Sequence, residues 1–212
     1  MYKLRISFFI VICLGMVRIS AQPKGYIPVN NPTEFRSHFA DEGRKITSVQ
    51  SNFTQEKNLS LLEEKITSEG KFWYKKDNKV RLEYQTPFKY LMILNGDQMI
   101  VRDELKESRI STHSNKLFHQ INRIMMGCVN GSILDSPDFT SQIYQNDNTC
   151  LLSLTPNSKT LKEFFQSIQV FVVKKDWAVI GITMIEPGGD NTVIKFTERV
   201  LNENLNDSLF VP

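Results

Sequence analysis

The sequence predicts a mainly β (α+β) fold: about ten antiparallel strands that curl around an apolar interior, with two helices placed to cover its mouth. Three observations predict it. From Val49 to Asp103, and again from Phe139 to Glu198, apolar and polar residues alternate with the period of two that marks a half-buried strand. Short turns join these runs, and short turns pair neighbouring strands antiparallel. Helical spacing appears only before the first run and between the two, which is too little helix to fill a large barrel. A sheet of this size curls or closes to hide its edges and its apolar face.

In chain order, Gln22 to Asn31 holds two prolines, a glycine and two asparagines, and reads as an extended lead-in. Asn31-Pro32-Thr33 then opens a helix, with Thr33 as the expected N-cap, Phe35, Phe39 and Ile46 near helical spacing, and Gly43 as the expected stop. Strands follow at 48–59 and 66–75, where Gly70, Phe72 and Tyr74 share one face and Trp73 takes the other. Asp77-Asn78 is a turn. In the strand from Lys79 to Gln85, Val80, Leu82 and Tyr84 alternate with Arg81, Glu83 and Gln85. The stretch 89–94 is apolar on both faces. Asn95-Gly96 is the strongest hairpin signal in the chain, and 98–102 completes that hairpin. A weaker strand holds Arg109 to Ser111.

Between 115 and 131, Leu117, Phe118, Ile121, Ile124, Met125 and Val129 fall at helical spacing, so a second amphipathic helix is expected there. The predicted strands then resume at 139–145, 150–155, 164–174, 178–186 and 191–198. Asn206-Asp207 followed by Leu209 and Phe210 gives a polar turn and an apolar pair near the end.

Residues 1–21 have the parts of a secretory signal. Lys3 and Arg5 precede an apolar run of 12 residues, Ile6 to Val17, too short to span a bilayer as a helix, and Ile19-Ser20-Ala21 offers a cut ahead of Gln22. Cys13 follows Ile12 in mid-run rather than a small residue at a cut, so the exported chain is expected to carry no lipid of its own. The formal charge of +3 belongs to this segment: Lys3, Arg5 and Arg18 lie in it without an acid, which leaves 23 basic and 23 acidic residues in 22–212. No electrostatic footprint for nucleic acid remains. Residues 22–212 are expected to form one domain. An exported compartment permits a disulfide between Cys128 and Cys150, and two buried thiols are an equal alternative.

Catalytic chemistry is sparse. His38 and His119 sit on predicted helices and His113 in a loop, none at a recognisable spacing from a nucleophile or carboxylate. Ser60, Ser132 and Ser158 lack the flanking glycines of a nucleophile elbow. Gly188-Gly189-Asp190 reads as a hairpin turn rather than a phosphate cradle, and Glu63-Glu64 beside Lys65 as a solvated turn. No cofactor, no metal site and no enzymatic activity are expected.

The ordered set Phe53-Thr54-Gln55, Gly70-Lys71-Phe72-Trp73, Lys75-Lys76, Val80-Arg81-Leu82-Glu83-Tyr84, Pro87, Asn95-Gly96-Asp97 and Asn206-Asp207 with Leu209-Phe210 resembles the periplasmic outer-membrane lipoprotein carrier (LolA) family. The resemblance implies an incomplete, strongly bent β-barrel with a helical lid over an apolar cavity. It also implies a monomeric periplasmic chaperone that takes acylated lipoproteins from an inner-membrane lipoprotein-releasing transporter and passes them to an outer-membrane acceptor. In the family an arginine followed by proline latches the lid; Lys76 and Asp77 stand there in this chain, making Lys76 the candidate latch, weaker because an ammonium lacks the guanidinium fork. From side-chain parity, Phe53, Phe72, Val80, Leu82, Tyr84, Ile194 and Phe196 are the expected cavity residues, and Leu117, Ile121, Ile124 and Met125 the expected lid residues. Met92 and Leu94 stay open because their strand is apolar on both faces. The runner-up is a similar calyx carrying another lipid or apolar small molecule. A third reading, an envelope-stress sensor that binds lipoproteins and a regulatory partner, is expected to need a second domain.

Overall fold

The computed structural model describes residues 23–111 and 116–211, without the side chains of 116–119. The expected signal, 1–21, and His113 therefore lie outside the described residues, as do the side chains of Leu117 and His119.

Among the described residues, twelve strands form one antiparallel sheet that does not close. The first meander runs β2 (Ser48–Leu59), β3 (Glu64–Lys75), β4 (Lys79–Thr86), β5 (Tyr90–Asn95), β6 (Gln98–Arg102) and β7 (Glu107–Ser111). The second runs β8 (Phe139–Gln145), β9 (Thr149–Pro156), β10 (Ser167–Val173), β11 (Val179–Ile185) and β12 (Asn191–Leu201). Pairing of β12 with β2 joins the two meanders into one curved wall, with Phe196 opposite Phe53 and Ile194 opposite Gln55. The strand with no expected counterpart is β1 (Ile27–Pro28), two residues of the lead-in that pair with β8 at the sheet's edge. A proline is tolerated there because no further strand needs its missing N–H. Register shifts in the β3–β4, β10–β11 and β12–β2 pairs mark bulges, which bend strands and increase their twist.

Helix α1 (Pro32–Lys45) is capped by Asn31, not by the expected Thr33. The Asn31 Oδ1 accepts from the Glu34 N–H, and Pro32 takes the first helical position, where an N–H would have no partner anyway. Gly43 does not end α1; the helix continues to Lys45, with Ile46 as C-cap. Helix α2 (Lys116–Asn130) matches the predicted span within a residue at each end. A third helix, α3 (Lys159–Phe164), stands partly where the strand 164–174 was expected to begin. Ser158 caps it by accepting from the Leu161 N–H, and Leu161 is fully buried.

The sheet's two faces carry different clusters. The concave face holds Phe53, Phe72, Val80, Leu94 and Met99 on the β2–β6 side and Leu152, Leu154, Ile168, Val170 and Val172 on the β9–β10 side. The convex face of β3–β6 buries Trp73, Ile93 and Ile100 under Leu205 and Phe210 of the C-terminal tail. The β5 strand is therefore apolar on both faces because both are covered. The tail is pinned by polar contacts: Lys75 and Lys79 reach the Asp207 carboxylate at 2.8 and 2.9 Å, and the Asn95 amide donates to the Phe210 carbonyl.

Candidate functional site

An apolar cavity of about 330 Å³ lies between the concave face of the sheet and α2. Its floor follows β2. Val49, Ser51, Phe53 and Gln55 alternate inward along that strand, a span of roughly 20 Å at about 3.3 Å per residue. The β3 strand contributes Phe72, β4 contributes Leu82 and Tyr84, and β5 contributes Tyr90 and Met92. On the other side stand Ile168 of β10, Val179, Ile182 and Met184 of β11, and Ile194, Phe196 and Arg199 of β12. Phe72 and Phe196 face each other with ring centroids 5.3 Å apart, and Phe53 meets Tyr84 edge-on at 5.0 Å. Gly70 makes room for the Phe53 ring, because a Cβ there would stand 2.8 Å from it.

Helix α2 forms the roof. Ile121, Ile124, Met125, Cys128 and Val129 project into the space, at the i, i+3, i+4, i+7 and i+8 positions of one helical stripe. The C-terminal end of α2 is held by α1. A Cβ on Gly43 would lie 2.4 Å from the Asn130 carbonyl carbon, and one on Gly131 would lie 2.4 Å from the Phe39 carbonyl oxygen, so the backbones touch there. Gly131 also sits at φ +78°, the left-handed region that glycine enters freely. Phe35 and Phe39 of α1 pack against Trp177, and His38 meets the same ring edge-on at 4.4 Å.

Of the residues expected from parity, Phe53, Phe72, Leu82, Tyr84, Ile194 and Phe196 stand around this cavity, with Ile121, Ile124 and Met125 above them. Val80 shares their face but is fully buried with Leu94 and Met99 in the solid part of the cluster, off the cavity wall. Met92 lines the cavity and Leu94 does not. Lys76 is exposed at the β3–β4 turn, beside a cleft shared with Gly43 and Asn130. Its backbone N–H donates to the Thr47 carbonyl at 2.8 Å, while its ammonium makes no hydrogen bond to α1 or α2 among the described residues. Cys128 and Cys150 are both free, buried thiols. Burial pushes the Cys128 thiol up to about 12 and raises that of Cys150.

Parity reasoning stopped at the first meander and the last strand, and so missed the β10–β11 wall. The spacing of Ile182 and Met184 was a usable signal for it, whereas Val179 joins them through the register shift in the β10–β11 pair, which alternation does not show. Of the polar members, Tyr84 was expected from parity, while Gln55, Ser51 and Arg199 had no sequence signal. Tyr84 donates to the Gln55 side-chain oxygen at 2.9 Å, and burial pushes its phenol up to about 12, with Tyr90 nearby adding to the shift. The Ser51 hydroxyl, in a residue only 2% exposed, has no hydrogen-bond partner among the described residues. Arg199 pairs with Asp176 at 3.2 Å. Among the described residues no group of three metal-ligating side chains occurs, and no helix is long and apolar enough to cross a membrane.

A family model described as outer membrane lipoprotein carrier protein LolA matches residues 44–212. Among solved structures, an uncharacterized conserved protein from Thermus thermophilus aligns with a TM-score of 0.51 at 9% identity, over 85% of this chain and 93% of that one. MucB, a Pseudomonas aeruginosa protein, aligns with a TM-score of 0.51 at 13% identity, over 85% of this chain and 64% of its own. The LolA superfamily protein NE2245 from Nitrosomonas europaea aligns with a TM-score of 0.45 at 14% identity, over 84% and 97%. At such identities the likeness is one of fold. No curated protein matches the sequence.

Proposed function

The chain belongs to the outer membrane lipoprotein carrier protein (LolA) family, and on that premise we propose that it is a periplasmic carrier of acyl chains. Its cargo is the acylated end of lipoproteins, received from an inner-membrane transporter and handed to an acceptor at the outer membrane. In this reading residues 1–21 export the chain, and one domain from Gln22 onward does the carrying. The observation that supports it best is the unfilled apolar space between the sheet and α2. An ordinary core would be packed solid at the same place.

The physics of the task matches that space. Each methylene moved out of water contributes about 0.8 kcal/mol, so several acyl chains hold a lipoprotein in a membrane almost irreversibly. A soluble carrier has to offer an equivalent apolar interior and later give the chains up. At about 330 Å³ the cavity lies at the low end for ligand sites, so several chains require α2 to move outward. Its Met125 side chain is flexible enough to repack against whatever enters. The Gly43–Gly131 contact anchors the C-terminal end of α2 to α1, and in this reading the helix turns about that contact. Cargo then shifts the balance between closed and open lids by its preference for the open one.

The small volume also favours a second reading, a carrier of a single-chain lipid in the same fold. One experiment separates the two. A labelled triacylated lipopeptide in detergent is diluted into the protein and the mixture is resolved by gel filtration, with and without excess free fatty acid. The lipoprotein reading expects a soluble complex that free fatty acid displaces poorly. A complex only with fatty acid would replace it with the second reading, and no complex with either would remove both.

A further inference from the structure

Resting on the cavity reading, we propose that the cavity contains a polar subsite, built from Ser51 and Arg199, that holds the carbonyl-type oxygen of an acyl chain. The subsite is made by a bulge. Along β12, Ile194 and Phe196 face inward, and strict alternation would send Glu198 inward and Arg199 out. The register shifts between Thr197 and Val200, so Glu198 and Arg199 together oppose Ser51. Glu198 absorbs the extra residue at φ +50° and turns outward, where its carboxylate accepts from the Asn52 amide at 2.7 Å. Arg199 is thereby aimed into the cavity, a side chain 15% exposed and the one charged residue among the described residues that line it.

Two features make this more than a tether between strands. The Ser51 hydroxyl opposite the bulge is buried and has no partner among the described residues, and leaving such a group unpaired costs free energy unless something enters to pair it. Arg199 offers five N–H donors, of which Asp176 engages Nη1 and Nη2 at 3.4 and 3.2 Å. Both groups are therefore donors in search of an acceptor. The chain attached to that acceptor has the inward column of β2, towards Gln55, along which to lie. Because Asp176 balances the charge of Arg199, a neutral ester or amide carbonyl suits the subsite at least as well as a carboxylate does.

The test compares decane, methyl decanoate and decanoate as displacers of an apolar fluorescent dye, on the wild type and on Ser51→Ala and Arg199→Leu. Losing one hydrogen bond to the ligand is expected to lower the affinity ratio of methyl decanoate to decane by about three- to tenfold in each variant. Wild-type preference for decanoate would identify free fatty acids as the source of the carbonyl oxygen. Equal or stronger binding of the ester would identify ester-linked chains. Unchanged ratios in both variants, with all three ligands still bound, would overturn the subsite and leave the cavity reading standing. Failure of any ligand to bind the wild type would overturn both. Ser51→Ala removes an unpaired buried polar atom, so it should fold at least as well as the wild type, which urea denaturation checks.

Discussion

Replacing Ile194 with phenylalanine separates a binding space from a packed core by the sign of one stability change. Ile194 lines the cavity and points across it from β12. Phenylalanine adds about three carbons that would enter empty apolar space, and at about 0.8 kcal/mol for each buried carbon the gain has an upper bound of roughly 2 kcal/mol. Part of that is lost to imperfect rotamers, so a gain of about 1 kcal/mol is expected. The same enlargement at Leu152, which is fully buried among close neighbours, should cost about 1–3 kcal/mol. Urea denaturation of both variants gives the two changes, and dye displacement gives the capacity for methyl decanoate. Stabilisation of Ile194→Phe together with weaker ligand binding is the expected pair. If Ile194→Phe destabilised as much as Leu152→Phe, the space would be ordinary core, and the carrier account would lose its main support.

Four further outcomes follow from the geometry. Gly43→Ala places a Cβ against the Asn130 backbone and should cost about 1–3 kcal/mol, with faster hydrogen exchange along α2 while β9 and β10 stay protected. Lys76→Leu should leave release of a bound lipopeptide nearly unchanged, because the Lys76 ammonium reaches neither helix among the described residues; markedly faster release would make it the latch. Denatured protein lacking residues 1–21 should yield two thiols, and native protein should react slowly even at pH 8, since burial keeps both protonated; a missing thiol signal in denaturant would mean a disulfide. Hydrogen bonds from Lys75 and Lys79 hold the Asp207 carboxyl below its ordinary 3.8, so this contact contributes stability above that value and loses it as pH falls through the lower folded one. Trp73 fluorescence should report the tail loosening below about pH 4, and Asp207→Asn should flatten that change.

What the sequence made legible is what depends on local repetition. Period-two alternation located the strands of both meanders, and it put Trp73 on the face opposite Phe72 and Tyr74. Helical spacing located α2 and its inward stripe. The misreadings arose where a second rule competed with the first. Thr33 and Asn31 are both good caps, and Pro32 decides between them by needing the position after the cap. Gly43 resembles a helix stop, but its purpose is to let two backbones touch, and the partner is 87 residues away at Asn130. Val80 has the parity of a wall residue and lies in packed core, because alternation gives the face and not the distance to the void. Arg199 was invisible for a deeper reason: its direction depends on a bulge, and the bulge exists only in the pairing of β12 with β2.

The central claim is that the space under α2 holds acyl chains. Native mass spectrometry of the protein purified without detergent from the periplasm of cells that express it tests this most directly. The account predicts an added mass that resolves, on unfolding, into an acyl-bearing molecule, with a triacylated polypeptide as the first expectation. Protein that carries no apolar molecule under those conditions, and takes none up when methyl decanoate or a triacylated lipopeptide is supplied, would contradict it.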